Sequence, residues 1–210
     1  GIYMGKVVIF NHPLIHHKLS IIRDEATNTK NFRETLDEIG SLMAYEVTRD
    51  LKTKDIETVT PIQKTITKTL AEEVVIVPIL RAGLGMVDGI HKLIPTAKIG
   101  HIGLFRNEET LRPECYFVKM PPTLPNATVL LVDPMLATGY SAEAGIRILK
   151  ERGAKKIIYI GLVGVDEGIA TLQSHHPDVD IFLAAKDERL NEKGYIVPGL
   201  GDCGDRLFGT

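Results

Sequence analysis

The chain has 210 residues, 44% of them hydrophobic and 25% charged, with 25 lysines and arginines against 27 aspartates and glutamates and a formal charge of -2. These are the proportions of a globular protein with enough apolar material for a core, and they exclude a global basic field for nucleic acid or anionic lipid, so any phosphate binding must be local. The longest apolar runs fall far below the roughly 20 residues of a membrane helix, and Cys115 and Cys203 are too few for a disulfide framework and lack metal-ligand spacing, which together point to a cytoplasmic protein without structural zinc.

Met4 begins a segment that reads as a native start, so Gly1 to Tyr3 are expected to be added residues. KVVIF follows as a first strand-length apolar run. His12, His16 and His17 come next; the adjacent pair lacks the i,i+4 spacing of helical metal ligands and reads as a solvated helix start. Phe32, Leu36, Ile39, Met43 and Val47 then recur at helical spacing, with Asn31 placed as N-cap and Glu34 three residues on.

VVIVPIL, KIGHIGLF, TVLLVD, KIIYIGLVG and DIFLAA follow at intervals, apolar on consecutive positions, as in parallel strands covered on both faces by helices. The fold class is therefore α/β, with a mostly parallel sheet flanked by helices. Between Arg106 and Pro125, charges, Pro113, Pro121, Pro122 and an embedded ECYFVKM break this rhythm, so a flap hairpin is expected at about 105–125. Glu108 and Glu109 read as its solvated surface. A helix is expected from about Ser141 to Arg152, with Ile146 and Leu149 inward and Gly153 as its stop. The glycine-rich end, about 191–210, reads as a loop-rich lobe over the edge of the sheet. No linker or repeat divides the chain, so residues 1–210 form one domain.

The strongest local pattern is TVLLVDPMLATGYSAEAGIRILK, from Thr128 to Lys150: a buried strand, a turn of small and hydroxyl residues, then an amphipathic helix. Such a turn aims backbone N–H groups and the positive end of a helix dipole at one spot. Thr138 and Ser141 add hydroxyl donors, Gly139 permits close approach, and Asp133 at the strand end is placed to accept from ribose hydroxyls. The turn is neither a Walker loop nor a GxGxxG. Taken locally, an ordinary capped βα turn fits it about equally well.

VDPMLATGYSA resembles the phosphoribosyl pyrophosphate (PRPP) loop of the uracil phosphoribosyltransferases, type I phosphoribosyltransferases in which the usual acidic pair is reduced to Asp-Pro. VPILRAGLGM, GLFRNEETLRP, GYIVPGLGDCGDRLFGT and the opening HPLIHHKLSIIRD resemble further motifs of that family in chain order, so the resemblance spans nearly the whole chain. It implies a hood formed by the terminal segments and the flap hairpin. It also implies PRPP binding by Arg81, Arg106, Asp202 and the loop Asp133, Pro134, Met135, Leu136, Ala137, Thr138, Gly139, Tyr140 and Ser141. Uracil would be held by Tyr195, Ile196, Gly201, Asp202 and Cys203, and Arg106 and Asp202 would be catalytic.

A backbone-defined loop suits uracil, because fixed N–H and C=O groups reject cytosine by leaving buried polar atoms unpaired. The resemblance further implies magnesium held on the substrate largely through water, with no protein metal cage, a homodimer or higher homo-oligomer, and GTP as a candidate effector. No nucleic-acid or membrane partner is expected. Two positions depart from the family: Tyr140, where a second glycine is usual, and Cys203, where alanine is usual. A thiol at position 203 implies inactivation by alkylating reagents. The alternative from another class is an RNA-binding regulator of pyrimidine genes on the same fold, against which the lack of clustered cations argues.

Overall fold

All six apolar runs enter one sheet in the computed structural model, which describes residues 3–210. Gly1 and Ile2 of the expected added segment lie outside the described residues, and the Tyr3 hydroxyl donates to Asp180. In chain order the chain forms β1 (Val7–Ile9), α1 (Pro13–Arg23), α2 (Thr29–Val47), β2 (Thr53–Val59), β3 (Lys64–Leu70), β4 (Glu73–Leu80) and α3 (Leu84–Leu93). It continues through β5 (Lys98–Ile99), β6 (His101–Arg106), β7 (Pro113–Lys119), β8 (Ala127–Val132), β9 (Met135–Leu136), α4 (Tyr140–Glu151) and β10 (Lys156–Gly164). It ends with α5 (Asp166–His175), β11 (Asp180–Lys186), β12 (Arg189–Leu190), β13 (Ile196–Val197) and α6 (Cys203–Phe208).

The main sheet runs β1-β11-β10-β8-β4-β6-β7, with β5 beside β4 and β9 beside β10. Every pairing in it is parallel except β6 with β7. Consecutive apolar residues are explained by two cores, one on each face. Val74, Ile76, Leu130, Val132, Ile158 and Ile160 face the core shared with α1, α2, α3 and α6. Their neighbours Val75, Val77, Val129, Leu131, Ile157 and Tyr159 face the core shared with α4 and α5. Each strand thus serves both layers, which is what parallel strands with βα crossovers require.

The local devices differ from expectation in several places. Asn28, not Asn31, caps α2: its side chain accepts from the Asn31 N–H at 2.8 Å, so the helix starts a turn earlier. His12 caps α1, and His16 and His17 lie exposed inside that helix. Helix α4 spans 140–151, close to the expected range, with Gly153 at φ 94° beyond its end and Ile146 and Leu149 fully buried. The hairpin at the flap is β6 and β7 around a turn at 107–112, and the segment to Pro125 belongs to a turn and a short 3₁₀ helix.

Other elements are additional, among them the antiparallel pair β12 and β13. β2 and β3 form a separate antiparallel arm, exposed on both faces. The last residues, expected as loop, form α6, whose fully buried Leu207 joins the core against α2.

Candidate active site

The order in which strands are added to the sheet reverses between the parallel neighbours β4 and β8. From β4 the chain crosses by α3 toward β6; from β8 it crosses by α4 toward β10, on the opposite face. The turns that leave the carboxyl ends of such neighbours diverge and open a crevice, the usual ligand position in α/β sheets. One turn carries Arg81, following a cis Leu80–Arg81 peptide. The other runs from Asp133 to Gly139.

The second turn is fixed from behind. The Pro134 carbonyl accepts from Leu162 and Val163 at 2.8 and 3.0 Å, and the Leu136 carbonyl accepts from Val165 at 3.1 Å. Gly139 has φ 89°, and a Cβ there would lie 2.9 Å from the Gly168 carbonyl oxygen. A Cβ on Gly168 would in turn lie 2.7 Å from the Ala137 oxygen. The Thr171 hydroxyl donates to the Thr138 carbonyl at 2.7 Å. Gly168 and Thr171 of α5 therefore hold the turn's shape, a supporting role that no sequence pattern announces. Gly139 gives α4 no side-chain cap and the Tyr140 N–H reaches the Thr138 hydroxyl only at 3.4 Å, so the amides that follow it remain available to an anion. Within the turn, Pro134 and Leu136 are buried, whereas Met135 and Ala137 line the crevice.

Asp133 closes β8. Its backbone is held by its own N–H to Ile160 and by the buried Tyr159 hydroxyl, which donates to its carbonyl at 2.6 Å. Burial pushes its carboxyl up to about 7, opposed in part by the Met135 N–H that it accepts. The side chain keeps an opening to the crevice, where it is one of the lining groups.

The C-terminal segment faces it. Gly194, Gly199 and Gly201 all have positive φ, and a Cβ on Gly199 would lie 2.2 Å from the Ile196 carbonyl oxygen. Arg23 and Asp187 pair at 2.7 Å, and both hold Gly199, Arg23 donating to its carbonyl and Asp187 accepting from its N–H. Arg206 donates to the carbonyls of Ile22, Asp24 and Leu200 and stacks over Phe32. Both chain ends are thereby joined beside the crevice as the terminal part of the expected hood, whereas the flap hairpin belongs to the edge of the main sheet as β6 and β7. Asp202 caps α6, accepting from the Asp205 N–H at 2.9 Å.

Cys203 corrects an expectation. Its thiol is buried, and its pKa is pushed up to about 12 by burial first, then by Asp133 and Asp202. A buried neutral thiol is a poor target for alkylation, which proceeds through the thiolate. The exposed thiol is Cys115 on β7.

Ala82, Asp133, Met135, Ala137, Tyr195, Ile196, Gly201, Asp202 and Cys203 line one cavity of about 200 Å³, so the two segments singled out in the sequence converge. Size alone would not find it. A hollow of about 610 Å³ lies between β1, α1 and α2, and one of about 460 Å³ lies at the amino-terminal edge of the sheet, away from the βα turns. Arg81 sits just outside the cavity, 3.3 Å from Asp205 and over the Phe208 ring. Arg106 is exposed at the end of β6, paired across the hairpin with Pro113, and does not line the cavity. Tyr140 is half-exposed at the start of α4, with the Arg112 guanidinium 4.0 Å above its ring.

The chain is 63% identical to a uracil phosphoribosyltransferase of Acholeplasma laidlawii over 207 residues, covering 99% of this chain and all of the relative. It is 59% identical over 208 residues to one from Bacillus velezensis, again covering 99% and 100%. Among solved structures, the AQ2163 protein of Aquifex aeolicus superposes with a TM-score of 0.93 at 40% identity, covering 97% of this chain and 98% of that one. An adenine phosphoribosyltransferase of Trypanosoma brucei, solved with AMP, pyrophosphate and ribose-5-phosphate, shares the fold at a TM-score of 0.61 and 14% identity, covering 95% and 92%. The family described as Uracil phosphoribosyltransferase matches residues 8–210, and the chain belongs to it.

Proposed function

We propose that this protein transfers the phosphoribosyl group of PRPP to N1 of uracil, forming UMP and diphosphate. The observation that carries the reading is the single cavity in which the turn from Asp133 to Ala137, which leads into the amino terminus of α4, and a backbone-defined glycine loop face each other. The turn from Asp133 to Ser141 holds the ribose phosphate, with the Asp133 carboxylate accepting from ribose hydroxyls and Thr138 and Ser141 donating to phosphate oxygens. The backbone of Ile196, Gly201 and Cys203 reads the edge of uracil, with Tyr195 beside it. Burial of Cys203 suits this, since only its main chain is needed.

In the reaction the bond from the ribose anomeric carbon to diphosphate breaks with its electron pair leaving on oxygen, and a bond to uracil N1 forms. Arg81 and Arg106 stabilise the negative charge of the leaving diphosphate, because guanidinium forks pair with phosphate oxygens. Asp202 orients uracil N1–H and takes its proton directly or through water. Bound with the substrate, magnesium would supply further neutralisation of diphosphate. Asp133 and Asp202 are the carboxylates that line the cavity, and no group of three or more His, Cys, Asp or Glu side chains among the described residues forms a cage. That donor set fits an ion that keeps most of its water.

We further propose one domain, a homo-oligomer, and GTP as an effector, the last on the family resemblance alone. Support for association is the isolated arm of β2 and β3, whose Ile56, Ile62 and Ile66 are exposed; two-stranded ribbons are marginal without a covering surface. No helix among the described residues is long and apolar enough to cross a membrane.

UMP formation with magnesium tests the reading, beside parallel reactions offering cytosine, orotate and hypoxanthine. Uracil alone should turn over, and Arg106→Ala should lower kcat/KM by about a hundredfold, as loss of a charge-stabilising donor does. Turnover of another base would discard the account of the glycine loop. No turnover at all, with salt-dependent RNA binding, would favour a regulator.

A further inference from the structure

β6 pairs with β4 only through Ile102 and Gly103, and the β6–β7 ladder carries an irregularity between Gly103 and Leu104. Past that point the hairpin, with Arg106 on it, projects beyond the sheet. It is stiff within itself. Phe105 and Tyr116 pack ring against ring at 6.2 Å, and the Asn107 side chain accepts from the N–H groups of Glu109 and Thr110 while donating to Glu114.

The turn presents Arg112 through Leu111 at φ 61°, the one non-glycine residue with positive φ among the described residues. A bulky residue adopts that conformation only where its surroundings enforce it. The enforced result is the Arg112 guanidinium 4.0 Å from the centre of the Tyr140 ring, within the range of a cation–π contact, at the first residue of α4.

We propose that Arg112 and Tyr140 form a latch that seats the flap on the phosphate turn, making both positioning residues for Arg106. The inference rests on the proposal that this turn holds the substrate phosphate. A stiff arm hinged at Gly103 and held at its tip places every residue between, Arg106 among them. The charge arrangement also couples the latch to substrate. A cation at a helix amino terminus faces the positive end of the dipole, which disfavours it while the site is empty and favours it once an anion is bound. The aromatic face offsets the first condition, so the flap is seated before substrate arrives and tightens when phosphate binds.

Steady-state kinetics of Tyr140→Gly, Tyr140→Phe, Arg112→Ala and the Tyr140→Gly/Arg112→Ala double variant test this, with Ser141→Ala as a control on the phosphate turn. Losing the ring or the cation should raise KM for PRPP about tenfold, equivalent to ~1.4 kcal/mol. KM for uracil at saturating PRPP should not move. The double variant should be no worse than either single one, and Tyr140→Phe, which keeps the ring face, should recover most of the KM for PRPP lost in Tyr140→Gly.

Additive losses, or an Arg112→Ala enzyme with unchanged KM for PRPP, would overturn the latch; an inert Ser141→Ala would instead count against the phosphate reading. A second readout does not depend on that reading. Cys115 is exposed on the arm and Cys203 is buried, so one fluorophore can be attached to the arm of the substrate-free protein. Its anisotropy should fall in Arg112→Ala, a variant on an exposed turn, and unchanged anisotropy would reject the latch.

Discussion

Asp133→Asn is expected to produce a protein that is more stable above pH 7 and nearly inactive. The Asp133 carboxyl, raised by burial to about 7, lies above the roughly 3.9 of an unfolded aspartate. The native state therefore binds more protons than the unfolded state between these values. Its contribution to stability is full below about pH 4 and is lost as pH rises through about 7. At pH 8 the native protein carries a poorly solvated charge that asparagine does not.

The full shift corresponds to about 4 kcal/mol, and the opening to the crevice reduces the gain to about 1–3 kcal/mol. Thermal melts at pH 8 should rise by several degrees, while melts at pH 4 should coincide with those of the parent. Activity should fall in the opposite sense. A neutral amide replaces the anion proposed to accept from ribose hydroxyls, and charge-assisted hydrogen bonds of about 1.5–3 kcal/mol each make a loss near a hundredfold in kcat/KM. A less stable and fully active variant would refute both assignments.

Arg206→Ala is expected to be the most disruptive change outside the cavity. The guanidinium satisfies carbonyls of Ile22, Asp24 and Leu200 and covers Phe32. Removing it leaves three carbonyls to find water at a partly buried junction, at a cost of about 3 kcal/mol. Melting should fall by roughly 6–12 °C at 2–4 °C per kcal/mol for a chain of this size. Because Leu200 precedes the glycine and acid proposed to read the base, KM for uracil should rise more than KM for PRPP. Arg206→Lys should recover little, since one ammonium cannot span the same carbonyls and lacks the planar face. An equal rise in both KM values would make the role purely structural.

The central sheet was legible because β4, β8, β10 and β11 are apolar on consecutive positions, a pattern with few solutions other than burial on both faces. The turn from Asp133 to Ser141 was legible because small residues, hydroxyls and a glycine cluster where a strand gives way to a helix. The arm of β2 and β3 was not, since TKDIETV and KTITKTL alternate threonine with charge and bury neither face. α6 was hidden by its glycine and aspartates, and its stability comes from the Asp202 cap and the burial of Leu207.

What escaped altogether were long-range locks. Arg23 with Asp187, and Arg206 with Ile22, join residues more than 160 positions apart, and a lone arginine in sequence does not announce its acceptor. For Ile22, Arg23 and Arg206 the one signal was membership of segments that resemble the family at each end of the chain, and Asp187 lies outside them. Cys203 shows the converse. Residue type suggested a reactive thiol, while burial holds it in the neutral form.

Amide hydrogen exchange with and without UMP tests the central claim most directly, because it locates the ligand without any substitution. Protection is expected in two segments that are distant in sequence, 135–142 at the proposed phosphate turn and 195–204 at the glycine loop, the second reduced when ribose-5-phosphate replaces UMP. Protection around the larger hollow between β1, α1 and α2, with neither segment changed, would contradict the account.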